Sequence, residues 1–402
     1  MIIEKLTLRN FRNYREMVLT PHEGVNLFFG ANGSGKTNLL EAIHYCALGK
    51  SHRITGDQSA VRIGESFAVC GVSVLNSGVR RDITVRLVPG EAARKVILLD
   101  QKPIRRFSDM MGCLQCVIFS PEDLGLIREG PSMRRRYLDM MISQVNRGYF
   151  IALQQYRSGL EQRNALLKNI RLRPREGEGM LDVFEQAMAG PAAVIVAARR
   201  KVIEMLSALA AETYRSISGK DGEEFRAGYH SAFRETENVE EEFLRILREN
   251  REEDLRLGIT SAGPHRDDLN LSLNRKNMKV YASQGQIRTG ALSLKLAQMK
   301  ALRAMSGEAP VLLLDDVMSE LDKDRRMRLV KEISDYQTFI TCTDESDLEL
   351  RGDRRIYHVS SPDGTALLEE TNGGTVTEKP VLAEPDFSFP ADEGEKPENP
   401  EE

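Results

Sequence analysis

Residues Asn26–Tyr45 read NLFFGANGSGKTNLLEAIHY, a short apolar run, a glycine-rich turn and a lysine that opens a helical pattern. Within it Gly30, Ala31, Asn32, Gly33, Ser34, Gly35, Lys36 and Thr37 fit G-x-x-x-x-G-K-[ST], with a strand before and a helix after, as the motif requires. Glycines let backbone N–H groups turn toward phosphates, and the helix start adds its positive dipole end. Lys36 is expected to neutralise the β/γ oxygens as a catalytic charge, and the Thr37 hydroxyl to hold Mg²⁺. The loop itself predicts ATP binding and leaves open what the grip is connected to.

Outward from the loop, the first 120 residues read mainly as strands: IIEKLTLRNF alternates, and FAVCGVSVL, RDITVRLV and KVILLD are bounded by turn residues. From about Ser132 the pattern turns helical. A first run is broken at RLRPREGEG, a second reaches about Ser218 with an interruption at Gly190-Pro191, and a third covers about Val239–Arg256. These helices fit an arm or lobe inserted into the strand-rich domain, or a helical layer of one larger domain. Strand character returns near Leu257. From Thr377 the chain is rich in Pro and Glu and is expected to be disordered.

Composition bounds the class. The net charge of −4 hides an asymmetry, because Glu378–Glu402 holds nine acids against two lysines and the rest is positive. Clusters such as Arg134-Arg135-Arg136 and Arg199-Arg200-Lys201 permit a nucleic-acid partner, although solvated helix faces explain most such runs. For Arg134–Arg136, phosphate contacts and pairing with nearby acids both stay open. No apolar run approaches the ~18 residues of a membrane span, and the N-terminus is unlike a signal peptide, so the expectation is cytoplasmic, with no membrane. Five cysteines give no disulfide framework, and the lone Cys113-x-x-Cys116 reads as two strand-edge residues rather than zinc ligands.

Three later segments define the type of ATPase. Val311-Leu312-Leu313-Leu314-Asp315-Asp316 is a buried strand that delivers Asp315 to Mg²⁺, with Asp316 next in line as a catalytic general base. Glutamate is usual at the second position in ABC enzymes; the shorter aspartate predicts slow hydrolysis. Ser283-Gln284-Gly285-Gln286 precedes a helix 30 residues before Asp315, counted from Gly285, where an ABC signature sits. Ser319-Glu320-Leu321-Asp322 matches a D-loop. The resemblance to the ABC signature implies that Ser283, Gln284 and Gly285 complete the nucleotide site of a second subunit, where a helix N-terminus serves as an anion site.

Together LTLRNFRNY, GANGSGKTNLLEAI, FSPEDLGLIREGPSMRRRYLD, TSAGPHRDDL, YASQGQIRTGALSLKLAQ and LLLDDVMSELD resemble the RecF family over about residues 1–360. RecF is a relative of the SMC-type ATPases that acts in bacterial DNA repair. The resemblance implies an α/β fold, an ABC/SMC-type P-loop ATPase head of mixed sheets and helices with an inserted, mainly helical second lobe. Its parts would be residues 1–130 (head, Walker A), 131–257 (lobe), 258–372 (head, signature, Walker B and D-loop) and 373–402 (acidic tail). It further implies an ATP-dependent homodimer on gapped DNA, at single/double-strand junctions in the nucleoid, working with RecR and RecO to load RecA.

By the same resemblance Arg12 would lie near the base or ribose, and Glu122 and Asp123 in the Q-loop region that senses the γ-phosphate. SPEDL reads equally as a helix cap, with Ser120 capping and Pro121 at the first position. The usual ABC switch histidine is absent, Thr341-Cys342-Thr343 standing there. His265, with Asp267 and Asp268, reads as a structural turn ahead of a metal site. The alternative function is the nucleotide-binding subunit of an ABC-type transporter; a P-loop kinase or GTPase would leave the signature and D-loop without a purpose.

Overall fold

The computed structural model describes residues 1–53, 56–89, 94–172, 178–220, 222–233, 238–344 and 354–371. The acidic tail, and the break expected around RLRPREGEG for the most part, lie outside them.

Three sheets carry the architecture. The first is antiparallel, ordered β2-β1-β4-β5-β6-β7, from β1 (Ile2–Phe11), β2 (Tyr14–Leu19), β4 (Ala68–Asn76), β5 (Val79–Val88), β6 (Arg94–Leu99) and β7 (Lys102–Pro103). The second is ordered β15-β14-β3-β13-β12-β8, from β3 (Val25–Phe29), β8 (Cys116–Phe119), β12 (Val311–Asp315), β13 (Thr338–Cys342), β14 (Arg354–Ser360) and β15 (Leu367–Glu370). It is parallel apart from the edge strand β15. All five residues of β12 and of β13 are buried, as a parallel strand covered on both faces requires. The short third sheet joins β9 (Phe225–His230), β10 (Asp268–Leu273) and β11 (Lys276–Asn277).

The strand order places the chemistry. Strand β13 lies between β3, which feeds the phosphate loop, and β12, which ends in Asp315. The carboxyl ends of the three strands therefore share one crevice, the place where open α/β sheets bind ligands. The loop leads straight into α1 (Lys36–Leu48).

The helices are α2 (Gly125–Arg128), α3 (Pro131–Ser143), α4 (Arg147–Leu172), α5 (Glu178–Ser218), α6 (Val239–Glu249), α7 (Arg251–Leu257), α8 (Met278–Tyr281), α9 (Gln284–Ser306) and α10 (Lys323–Ile333). Two readings are corrected here. Helix α5 runs unbroken through Gly190-Pro191. Met188, Ala189, Ala192, Ile195 and Val196 are fully buried around that point, and their packing outweighs the ~3 kcal/mol a helical proline costs. The run from Val239 is two helices, divided at Asn250, whose carbonyl accepts the Asp254 N–H and starts α7. The helical stretch also contains a strand, β9, which pairs with β10 across the 257/258 boundary.

One apolar core joins the helical segment to the face of the second sheet, taking in Leu153 and Tyr156 of α4, Leu206 and Tyr214 of α5, Leu294 of α9, and Leu312 and Leu314 of β12. Helix α5 is long and apolar enough to cross a membrane by length and composition. Its apolar face is spent on this core, and Arg199, Arg200 and Lys201 interrupt its middle.

Candidate nucleotide-binding site

The phosphate loop takes a backbone that only glycine allows at two points. A Cβ on Gly30, at φ 147°, would sit 2.1 Å from the Val359 carbonyl oxygen, and one on Gly35, at φ 116°, 2.7 Å from Asn13 Oδ1. Asn13 braces the loop from outside. Its Nδ2 donates to the Ser34 carbonyl at 2.9 Å, and its Oδ1 accepts from Asn38 Nδ2 at 2.8 Å. Tyr14 adds a hydroxyl bond to the Gly35 carbonyl. The RNY segment of the first hairpin turn thus fixes the loop, a role the sequence reading did not give to Asn13.

Lys36 is buried, and its Nζ donates to the carbonyls of Gly30 at 2.7 Å and Ala31 at 2.9 Å. Burial lowers its pKa, and the nearby charge of Asp316 opposes that. Thr37 Oγ1 donates to Asp315 Oδ1 at 2.7 Å, and Thr341 Oγ1 reaches the same oxygen at 2.8 Å. Burial raises the Asp315 pKa, against both hydroxyl bonds. The Thr341 hydroxyl also accepts the Asp316 N–H at 3.0 Å, so one side chain orients both aspartates. Its signal was in the sequence, as the threonine where a switch histidine was sought.

Asp316 adopts φ 54°, a left-handed conformation uncommon outside glycine and enriched at functional sites. Its Oδ1 is buried without a partner, as is the Ser34 hydroxyl of the loop. Orphaned polar atoms beside a lysine and a glycine-rich helix start fit a polyphosphate with a divalent cation: residues 30–37 would hold the phosphates, Thr37 and Asp315 the Mg²⁺. Such an ion supplies charge neutralisation in phosphoryl transfer.

The other expected residues stand apart. Arg12, at φ 55°, donates from Nε and one Nη to both oxygens of Glu41, at 2.9 and 2.7 Å, and from the other Nη to the Ser59 carbonyl. Its guanidinium is committed within the chain, next to the loop brace. Ser283 caps α9: its hydroxyl accepts from Gln286 N–H, and Gln286 Oε1 accepts from Ser283 N–H, a closed capping box. Gln284 is exposed and accepts from Arg128. A Cβ on Gly285 would meet only Arg325, at 4.0 Å, so the fold of this chain does not require glycine there. Among the described residues none of the three bonds the phosphate loop or Asp315. Asp322, at the end of the D-loop segment, caps α10 through the Arg325 N–H.

Asp123 closes a cap with the Ser120 N–H at 2.9 Å and pairs with the buried Lys295 at 3.4 Å, so the capping reading of SPEDL describes this state. His265 joins a structural turn. Its Nδ1 meets the Tyr156 hydroxyl at 2.7 Å and its Nε2 the Thr260 carbonyl at 3.0 Å, while burial pulls its pKa down to about 4. Arg134 is buried and bidentate to Asp268, Arg135 donates to the Asp267 carbonyl, and Arg199 bonds Asp139 and the Pro264 carbonyl. These arginines hold the fold, leaving Arg136 as the exposed member of its cluster. Cys116 is the buried first residue of β8, while Cys113 lies in the preceding turn rather than at a strand edge. Burial raises both thiols, Cys116 to about 12, which disfavours a zinc thiolate pair.

The family model for the RecF/RecN/SMC N terminal domain matches residues 2–365. The DNA replication and repair protein RecF of Ruminiclostridium cellulolyticum is 40% identical over 351 residues, 86% of this chain and 93% of its own. That of Lactobacillus johnsonii is 38% identical over 92% of this chain and 100% of its own. This chain belongs to the RecF family. A solved structure of the recombination mediator protein RecF with ATP, in the RecFOR pathway, superposes with a TM-score of 0.83 at 35% identity, covering 92% of this chain and 97% of that one. An Smc head domain derived from Pyrococcus furiosus, 18% identical with a TM-score of 0.54 over 92% of this chain and 96% of that one, shares the fold. The chain is thus a RecF-type DNA replication and repair protein with an ATP-binding, SMC-like head, which sets aside the transporter alternative.

Proposed function

We propose that this RecF-family chain is an ATP-driven homodimer that binds gapped DNA. Each nucleotide would lie between Gly30–Thr37 and Asp315 of one chain and Ser283–Gly285 of the other. Lys36 neutralises phosphate charge, Thr37 and Asp315 hold Mg²⁺, and Asp316 acts as general base in slow turnover. The family supports cooperation with RecO and RecR, indirect help to RecA, and a cytoplasmic, nucleoid-associated setting. In this reading residues 1–130 and 258–372 form the head around a lobe at 131–257.

One observation carries the reading: a capped helix N-terminus opens with exposed Ser283 and Gln284 and with Gly285, whose Cβ position only Arg325 approaches among the described residues, at 4.0 Å, a surface suited to a ligand brought from outside. DNA coupled to ATP requires that DNA bind the closed dimer better than the open monomer. Sedimentation with and without ATP, and affinity for gapped duplex under both conditions, test this. The wild type dimerises and gains DNA affinity with ATP. Ser283→Arg keeps ATP binding and stays monomeric, whereas Lys36→Met loses both. Equal DNA affinity with and without ATP, or a Ser283→Arg protein that still dimerises, sinks the proposal.

A further inference from the structure

A cavity of about 530 Å³ lies behind α1, bordered by β8, the α2–α3 segment and α9; it shares no residue with the phosphate loop, Asp315 or Asp316, while Glu122 and Asp123 of the SPEDL segment line it. Leu48, Ile118, Leu126, Met133, Tyr137 and Met140 give it apolar and aromatic walls, and Glu122, Glu129 and Arg136 add charge to the lining. Its volume is within the ~300–1,000 Å³ typical of small-molecule sites, which combine such walls with a few convergent polar groups.

The polar groups are the unusual part. Four side-chain atoms lining this cavity are buried without a partner among the described residues: His44 Nε2, His52 Nδ1 and Nε2, and Gln298 Oε1. His44 is 1% and Gln298 5% exposed. His44 Nδ1 is 2.8 Å from the Lys50 carbonyl, a bond only an N–H can make, so Nε2 of the neutral ring is a bare acceptor. Burial holds both rings neutral at physiological pH, with each pKa drawn down to about 3. Neutral His52 adds one donor and one acceptor. Among the described residues the buried, unpartnered atoms of the lining are therefore three acceptors against one donor, and a buried polar atom left so costs ~1–3 kcal/mol.

These atoms define what can fill the space. At this buried end an anion would bring more acceptors to acceptors, and Glu122 and Glu129 in the lining oppose it against the pull of Arg136. A cation would meet the Lys295 ammonium, whose partner Asp123 is already taken, and the Arg136 guanidinium. No group of three or more His, Cys, Asp or Glu among the described residues is arranged to hold a metal ion. A neutral, flat donor satisfies the acceptors, and Tyr137 with the two methionines gives it faces to pack on.

We propose that this cavity takes a neutral flat ring bearing hydrogen-bond-donating amino groups, the chemistry of an aminated nucleobase. The base comes from a free nucleoside or from an unpaired position on a strand, since enzymes that read single bases use such pockets.

Nucleosides lack the phosphates the loop grips, so equilibrium dialysis of deoxycytidine and deoxythymidine against the full chain with saturating ATP isolates this site. Deoxycytidine binds saturably at one per chain, and deoxythymidine, without an amino group, about tenfold more weakly. Gln298→Leu, which removes the acceptor at similar volume, and Ser132→Trp, which blocks the mouth from an exposed helix position, each weaken deoxycytidine about tenfold. A second arm measures a duplex with one unpaired 3′-terminal cytosine. Loss in both variants confined to this arm identifies a strand-borne base, and loss in the nucleoside arm identifies a free one. No saturable binding in either arm, or binding that both variants leave unchanged, overturns the proposal.

Discussion

The helical segment with its seam to the sheets, and the nucleotide grip, use charged residues in opposite ways. In the seam the three buried arginines are answered, although Asp267 Oδ1 beside them has no partner among the described residues. Arg163 bonds Glu185, Asp254 and Thr260; Arg134 bonds Asp268 and two carbonyls; Arg199 bonds Asp139, the Tyr149 hydroxyl and the Pro264 carbonyl. In the grip Asp316 Oδ1 and Ser34 Oγ have no partner, Lys36 is parked on loop carbonyls, and Asp316 holds a left-handed backbone. Satisfied buried charge marks structure, and unsatisfied polar atoms mark where something else belongs. Seam substitutions should therefore move stability and spare ATP binding, and grip substitutions should do the reverse.

The largest expected effect is in the seam. Arg163 is 0% exposed, and Arg163→Ala strips its charge from Glu185 and Asp254, each buried. Removing one partner of a buried ion network costs ~3–5 kcal/mol. Urea unfolding should show that loss while the folded fraction keeps its ATP affinity. A loss under 1 kcal/mol would mean the network is stabilised by water instead. Lys36→Met comes next and inverts the pattern. ATP affinity should fall at least thirtyfold, ~2 kcal/mol, with the unfolding midpoint little changed, since its present partners are carbonyls of a surface loop.

Asn13→Ala tests the boundary between the two regions. It unties the Ser34 carbonyl and Asn38 together, and should weaken ATP binding about fivefold, ~1 kcal/mol. Should it lower stability as Arg163→Ala does and leave ATP affinity alone, the brace belongs with the seam.

The same contrast explains what the sequence made legible. Walker A and Walker B could be read because strand, glycine and lysine requirements are local, and β12 is apolar throughout. The start of α9 at Ser283 could be read because capping chemistry is local as well. Asn13, Thr341 and Glu41 were missed because their roles depend on neighbours far along the chain: 21 residues from Asn13 to Ser34, 26 from Thr341 to Asp315. The arginine clusters stayed ambiguous for a related reason. Composition cannot tell a guanidinium that faces solvent from one that meets an aspartate more than a hundred residues away, as Arg134 meets Asp268. Pro191 shows the reverse case, a strong local signal overridden by tertiary packing.

His265 gives the smallest effect and ties the seam to pH. Its ring is held neutral between the Tyr156 hydroxyl and the Thr260 carbonyl, with its pKa drawn by burial from the ordinary value of 6.5 to about 4. Between those values the unfolded chain binds a proton that the folded chain refuses. Stability from this residue is therefore full above the unfolded pKa and is lost as the pH falls toward the folded one. The loss between pH 7 and pH 5.5 is ~1 kcal/mol for this one ring. Urea midpoints across that range should fall for the wild type and fall less for His265→Gln, which keeps a donor and an acceptor but cannot titrate. ATP affinity, set in the grip, should not follow the same curve. Equal slopes for the two proteins would place the acid sensitivity elsewhere, in the buried His44 and His52 pair behind α1, and remove His265 from the seam's account.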